Sequence, residues 1–123
     1  MLVLLDTSIL IFLVERPSTF LDDLRARMGN VEFSVPDSVI GELKGLAGSR
    51  GAKAKKARLA LSYAMGLKCL KHGGEADDAL VSLAQERGAL VATLDRKLVS
   101  SLRRRGVPVA TVKDDRLLLP GTD

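Results

Sequence analysis

The stretch Leu2-Val3-Leu4-Leu5-Asp6-Thr7-Ser8 decides the fold of this chain. An apolar run with no polar interruption makes a strand that water reaches on neither face, as inside a parallel sheet covered by helices. The run ends on a carboxylate. An ionised group directly past a buried strand loses hydration, which hydrogen bonds or a cation must replace. One reading makes Asp6 the N-cap of a following helix, accepting backbone N–H groups. The other makes it part of a site.

Outward from this stretch, helical periodicity occupies residues 9–15 and halts at Pro17. Ser18 is placed to cap a second helix, in which Phe20, Leu21, Leu24 and Met28 recur at helical spacing before Gly29-Asn30 ends it. Residues 31–35 read as a strand. Pro36-Asp37-Ser38 opens a helix through Ala47, closed by Gly48, and residues 51–66 form a basic, alanine-rich helix. A short strand at 67–70 is followed by a helix at 75–87 stopped by Gly88, and then a strand at 89–93. A helix at 96–105 stopped by Gly106, a strand at 107–112 and an edge at 117–119 complete the chain.

Strands alternating with helices predict an α/β fold, three α/β/α layers around a mainly parallel central sheet. One domain is expected over 1–119, with a loose tail at 120–123. Ligands of such sheets bind beyond the carboxyl ends of the strands. Asp6 follows the first strand, and Asp95 stands two residues past Thr93, the end of another.

Composition narrows the chemistry. With 123 residues the chain has material for one sizeable core. Phe12, Phe20, Phe33 and Tyr63 are its aromatics, so the core is aliphatic and bases have little to stack on. Net charge is +4, which suits a polyanionic partner without demonstrating one. The lone Cys69 excludes an internal disulfide, and with one histidine, His72, a His or Cys metal cage is excluded as well. Any metal needs oxygen ligands. The apolar opening at 2–14 has no basic residue before it, is interrupted by Asp6, and is shorter than the roughly 20 residues of a membrane helix. The expectation is a soluble, cytoplasmic protein without a membrane partner.

Three further acids share the pattern of Asp6. On the helix at 75–87, Leu80, Val81, Leu83 and Ala84 define a buried stripe at about 100° per residue, with Asp77 along its middle and Asp78 off it. Alternatively, Asp77 answers only the dipole at the helix start; Asp78 is the better dipole and capping residue. Glu42 stands at the margin of the apolar face formed by Val39, Leu43 and Leu46. Asp95 read alone is a helix cap. Taken together, two acids follow neighbouring strands and two sit on helices able to face the same sheet edge. Carboxylates sharing a site repel unless a cation is present, and hard oxygen ligands select Mg²⁺ or Mn²⁺. Metal-dependent phosphodiester hydrolysis is the reaction class that fits.

Leu4-Leu5-Asp6-Thr7-Ser8, Val35-Pro36-x-x-Val39-x-x-Glu42-Leu43, Ala76-Asp77-Asp78-Ala79-Leu80 and Val91-Ala92-Thr93-Leu94-Asp95-Arg96 resemble the PIN-domain nucleases, in order and across nearly the whole chain. Ala76-Asp77-Asp78 and the ending from Asp95-Arg96-Lys97-Leu98 through Arg103-Arg104-Arg105-Gly106-Val107-Pro108-Val109 look most like the ribosomal-RNA-processing branch, which includes a small-subunit processome component and archaeal relatives. The resemblance implies a Mg²⁺- or Mn²⁺-dependent endoribonuclease in which Asp6, Glu42, Asp77 and Asp95 are the metal-holding catalytic acids. Spacing to Gly88 and Asp95 favours Asp77 over Asp78 as the third acid. Thr7, Ser8 and Thr93, with Asp78, stand in supporting positions. VapC-type toxins share the fold but usually lack the Arg-rich Gly-Val-Pro ending.

Arg50, Lys53, Lys55, Lys56 and Arg58 form one basic cluster; Arg96 and Lys97, with Arg103 to Arg105, form another. Both can contact phosphates without reading sequence, or they are solvated helix faces. Expected partners are RNA, foremost ribosomal, a second copy of the chain, and an antitoxin only on the toxin reading. A phosphatase of the aspartyl-phosphate type wants a second Asp two residues after the first, where this chain has Ser8. A receiver-type domain wants an acid adjacent to Asp6. A non-catalytic scaffold in ribosome assembly remains the rival of a different class, and the intact acids argue against it.

Overall fold

The apolar runs fold into the elements their periodicity predicts. The computed structural model describes residues 1–114 and 116–120. Its order is β1 (Leu2–Leu5), α1 (Thr7–Glu15), α2 (Phe20–Met28), β2 (Glu32–Pro36), α3 (Asp37–Ala47), α4 (Ala52–Met65), β3 (Lys68–Leu70), α5 (Ala76–Arg87), β4 (Leu90–Ala92), α6 (Arg96–Arg104), β5 (Val109–Lys113) and β6 (Arg116–Leu118). Helix α1 begins earlier than its periodicity suggests because Asp6 caps it. Ser18 lies one residue before the cap position of α2, which is Thr19, and still takes the Phe20 N–H on its hydroxyl. Strand β5 starts two residues later than expected, past Pro108, which has no N–H for a ladder. Of the tail expected at 120–123, Pro120 is exposed and residues 121–123 lie outside the described residues.

The sheet order is β3-β2-β1-β4-β5-β6. Neighbours are parallel except β6, which runs antiparallel along β5 at one edge. From β1 the chain builds one way through β2 and β3, then returns and builds the other way through β4 and β5. The reversal leaves a crevice past the carboxyl ends of β1 and β4, the place where open α/β sheets bind ligands.

Val3, Leu4 and Leu5 of β1 and Leu90, Val91 and Ala92 of β4 are buried on whichever face they point to, so helices cover both sides and the three-layer α/β/α architecture follows. The core is aliphatic, with Phe20 and Phe33 its buried aromatics. Helix α4 packs on α1 and α3 through Ala54, Ala57, Ala60 and Ala64. Small side chains let its backbone come close and leave the long basic ones outside. Gly88 ends α5 in the left-handed region at φ 64°, where a side chain is strained. Among the described residues no helix is long and apolar enough to cross a membrane.

Candidate active site

Asp6 is both a cap and the centre of a hydrogen-bond cluster. Its residue is 6% exposed. Oδ1 accepts the Thr7 N–H at 2.7 Å, while Oδ2 accepts the hydroxyls of Ser8 at 2.9 Å and Thr93 at 2.7 Å. These donors replace the lost hydration, and each is charge-assisted. Each hydroxyl has one proton, already given to Asp6, so the 3.2 Å approach of Ser8 Oγ to Thr93 Oγ1 is a contact between two acceptors. Both hydroxyls also accept: Ser8 from Leu94 N at 2.9 Å and Thr93 from Asp95 N at 3.0 Å. The loop after β4 is thereby stitched to the loop after β1. Of the hydroxyls expected to support the acids, Ser8 and Thr93 do so; Thr7 acts through its N–H, and its Oγ1 is buried without a partner.

Asp95 caps α6. Oδ1 accepts from Lys97 N at 2.9 Å and Leu98 N at 3.3 Å. The first-turn amides that orient it are also the positive end of the helix. As with Asp6, the capping role and a place in the crevice are held by one side chain.

Asp77 required a correction of helix phase. The buried stripe of α5 is Ala76, Ala79, Leu80, Leu83 and Ala84, with Val81 only half-buried. Alanines face the sheet where the larger Val81 was expected to, so Asp77 lies at the stripe's margin and is exposed. It still enters the acid group. Its carboxyl is held above the ordinary range, first by partial burial and then by the charges of Asp6, Asp95, Glu42 and Asp78. Partial burial acts first, and the common sign of its four neighbours adds to it. Asp78 lies in the first turn of α5, where its charge suits the helix dipole, but it does not cap the helix: the cap position is Glu75, and among the described residues no side chain bonds the first-turn amides. Exposed Glu42 on α3 lines an open pocket with Ser38, Gly74 and Asp77. Ser38, which sequence reasoning passed over as a site residue, has a buried hydroxyl with no partner among the described residues.

A second feature was missed. Asp37 Oδ1 accepts the N–H groups of His72 and Gly73, each at 3.1 Å. These bonds fasten the turn before α5 to the start of α3 and so hold Asp77 near Glu42. The same N–H groups keep the Asp37 carboxyl below its ordinary range. The available signal was the Gly73-Gly74 pair, whose φ values of 80° and 75° require glycine.

Among the described residues no three His, Cys, Asp or Glu side chains stand close enough to hold a metal ion as they are oriented. The donor set nevertheless suits a hard divalent cation: it is all carboxylate oxygen, and its mutual repulsion falls on Asp77.

The basic residues separate. Arg50, Lys53, Lys55, Lys56 and Arg58 are exposed on and before α4, but Lys56 pairs with Glu15 at 3.7 Å and Arg58 donates to the Ala47 carbonyl at 3.2 Å. Exposed Arg96 and Lys97 open α6 directly after Asp95, and Lys97 lines a groove with Asp77 and Asp78.

Residues 3–115 match a family described as a PIN-like domain. A ribonuclease, VapC9 of Archaeoglobus fulgidus, is 30% identical over 112 residues, covering 90% of this chain and 82% of its own. Among solved structures, the PIN domain endonuclease Utp24 superposes with a TM-score of 0.73 at 24% identity, over 97% of this chain and 90% of that one. A domain of a functionally unknown protein from Methanocaldococcus jannaschii gives a TM-score of 0.67 at 16% identity over 91% of each chain.

Proposed function

The chain belongs to the PIN-like domain family, and we propose that it is a divalent-metal-dependent endoribonuclease in which Asp6, Glu42, Asp77 and Asp95 hold Mg²⁺ or Mn²⁺. The observation that carries the reading is convergence at the sheet's reversal point. Asp6 and Asp95 are laced together through Thr93, and Asp77 feels both of them as well as Glu42.

Hydrolysis joins a water oxygen to phosphorus, breaks one P–O ester bond and moves a proton from water to the leaving ribose oxygen. A bound Mg²⁺ or Mn²⁺ supplies a Lewis acid that activates water and offsets phosphate charge. The protein's own part is orientation. Three donors fix Asp6, two amides fix Asp95, and neither carboxylate needs to reorganise when substrate arrives. Asp77, whose proton affinity is raised by partial burial and by the charges of its neighbours in the metal-free protein, is the acid whose charge a bound cation would relieve most.

Within this activity, processing of ribosomal RNA in the cytoplasm is supported by the ending from Arg103 to Val109, which resembles that branch. A toxin ribonuclease is favoured by a different observation, the 30% identity to VapC9, and would bring an antitoxin partner. Growth arrest on expression, relieved by Asp6→Asn, would select the toxin; unimpaired growth with cleavage of precursor ribosomal RNA would select processing.

The metal site is tested by thermal unfolding with Mn²⁺. Binding to the folded state at a hundred times Kd adds about 2.7 kcal/mol of stability, and Asp6→Asn should lose this gain together with cleavage. Equal gains in both proteins would remove the site.

A further inference from the structure

Beyond the acids, the surface carries an open groove between α5 and α6 that begins at Asp77. It is lined by Asp78, Val81, Ser82 and Gln85 from α5, by Lys97, Leu98 and Ser101 from α6, and by Arg105 at the C-cap of α6. Spacing explains the walls. Asp78, Ser82 and Gln85 stand at i, i+4 and i+7, and Lys97, Ser101 and Arg105 at i, i+4 and i+8, so each set shares one side of its helix. Both helices start at the carboxyl edge of the sheet, so the groove leads away from the acid group along their length.

We propose that this groove carries the backbone of single-stranded RNA away from the cleavage site, with Lys97 and Arg105 on phosphates and Ser82, Gln85 and Ser101 on sugar and phosphate oxygens between them. The inference rests on the ribonuclease reading. Lys97 and Arg105 are eight residues apart, about 12 Å along a helix at 1.5 Å per residue. A stacked strand rises about 3.4 Å per nucleotide, so the two cations span about three or four nucleotides.

The chemistry of the lining selects the occupant. Among the described residues no hydrogen bond or ion pair holds the side chains of Lys97, Ser82, Gln85, Ser101 or Arg105, so polar groups face the groove unspent. No aromatic residue lines it, so contacts fall on the backbone rather than on stacked bases. Val81 and Leu98 are its apolar residues, too little for the buried anchor that a protein partner takes. Charge is graded, with Asp77 and Asp78 at the end where a cation would sit and Arg105 at the far end. On the rival path over α4, Lys56 and Arg58 are engaged within the fold, which leaves Arg50, Lys53 and Lys55 as its exposed cations. Arg105 also separates from its neighbours, since neither Arg103 nor Arg104 lines the groove.

The test is binding of a fluorescein-labelled oligouridylate, about a dozen nucleotides long, to the full chain in EDTA across a salt series. Each phosphate contact on a single strand contributes about 0.7 to the slope of log K against log salt. The double variant Lys97→Gln/Arg105→Gln should flatten the slope by about 1.4; flattening by Lys53→Gln/Lys55→Gln with none from the Lys97/Arg105 pair would move the RNA to α4 and overturn the groove. Gln85→Lys places a new cation on the exposed wall and should steepen the slope by about 0.7, a gain that misfolding cannot mimic. No binding by wild type, an unchanged slope in the double variant, or no gain from Gln85→Lys overturns the groove. Cleavage is read separately with Mn²⁺: RNA held in the groove yet uncut removes the nuclease reading and leaves the groove standing.

Discussion

The hydroxyl of Thr93, at the end of β4, donates to Oδ2 of Asp6, at the end of β1, at 2.7 Å across 87 residues of chain. Thr93 is fully buried and also accepts the Asp95 N–H, so one side chain positions both strand-end acids. Thr93→Val keeps the shape and removes both interactions. The expected loss is about 1.5–3 kcal/mol, the range for a hydrogen bond to a charged group, with slower cleavage. Thr93→Ser keeps the hydroxyl and should lose only about 1 kcal/mol, roughly one buried methyl. Urea midpoints measure both, and equal midpoints for Val and wild type would show that Asp6 does not depend on Thr93.

Asp77 and Asp78 are adjacent but differently placed. Asp77 borders both the Glu42 pocket and the α5–α6 groove; Asp78 borders the groove but not the Glu42 pocket. Asp77→Asn should reduce kcat by about a hundredfold or more, roughly 2.7 kcal/mol of barrier, while Asp78→Asn should keep kcat within about tenfold and tighten RNA binding by removing a like charge. Single-turnover cleavage and oligonucleotide titration separate the two effects. Matching losses of kcat would show that the phase assigned to α5 is still wrong.

Partial burial of Asp77, together with acid repulsion, also sets a pH dependence in metal-free protein. The folded-state affinity of Asp77 for its proton is raised above the unfolded reference of 3.8. Its contribution to stability is therefore fully present below pH 3.8 and lost as pH rises through the folded value. Charged Asp77 thus opposes folding at neutral pH. Asp77→Asn should melt higher than wild type at pH 7 in EDTA, with the difference closing towards pH 3.8 and below. A lower melting temperature at pH 7 would show that the charged Asp77 is not disfavoured by its burial and its acid neighbours.

Asp37 predicts the opposite sign. Its folded-state value is lowered by the Gly73 and His72 N–H groups, so its contribution is present above the unfolded reference of 3.8 and lost as pH falls through the lowered folded value. Asp37→Ala should speed amide exchange at His72 and Gly73 at neutral pH and reduce cleavage by loosening the turn that carries Asp77. Exchange by NMR decides the point: protection equal to wild type would show that the turn does not need the carboxylate.

What the sequence determined by itself was everything carried by local periodicity. An uninterrupted apolar β1 ending at Asp6, helices spaced at 3.6 residues, and Gly or Pro at their ends were enough for the α/β class and the element order, while the grouping of Asp6, Glu42, Asp77 and Asp95 as one acidic set came from the resemblance to the PIN-domain nucleases. Tertiary structure decided the rest. The order β3-β2-β1-β4-β5-β6 places Thr93 beside Asp6, and nothing in either strand's own pattern encodes which strand will be its neighbour. The phase of α5 turned on which side met the sheet, and small alanines fit there better than the more hydrophobic Val81. The tether of Asp37 to His72 and Gly73 joins a helix start to a turn more than thirty residues away. Periodicity is a property of consecutive residues, whereas a site is built from residues that only packing brings together.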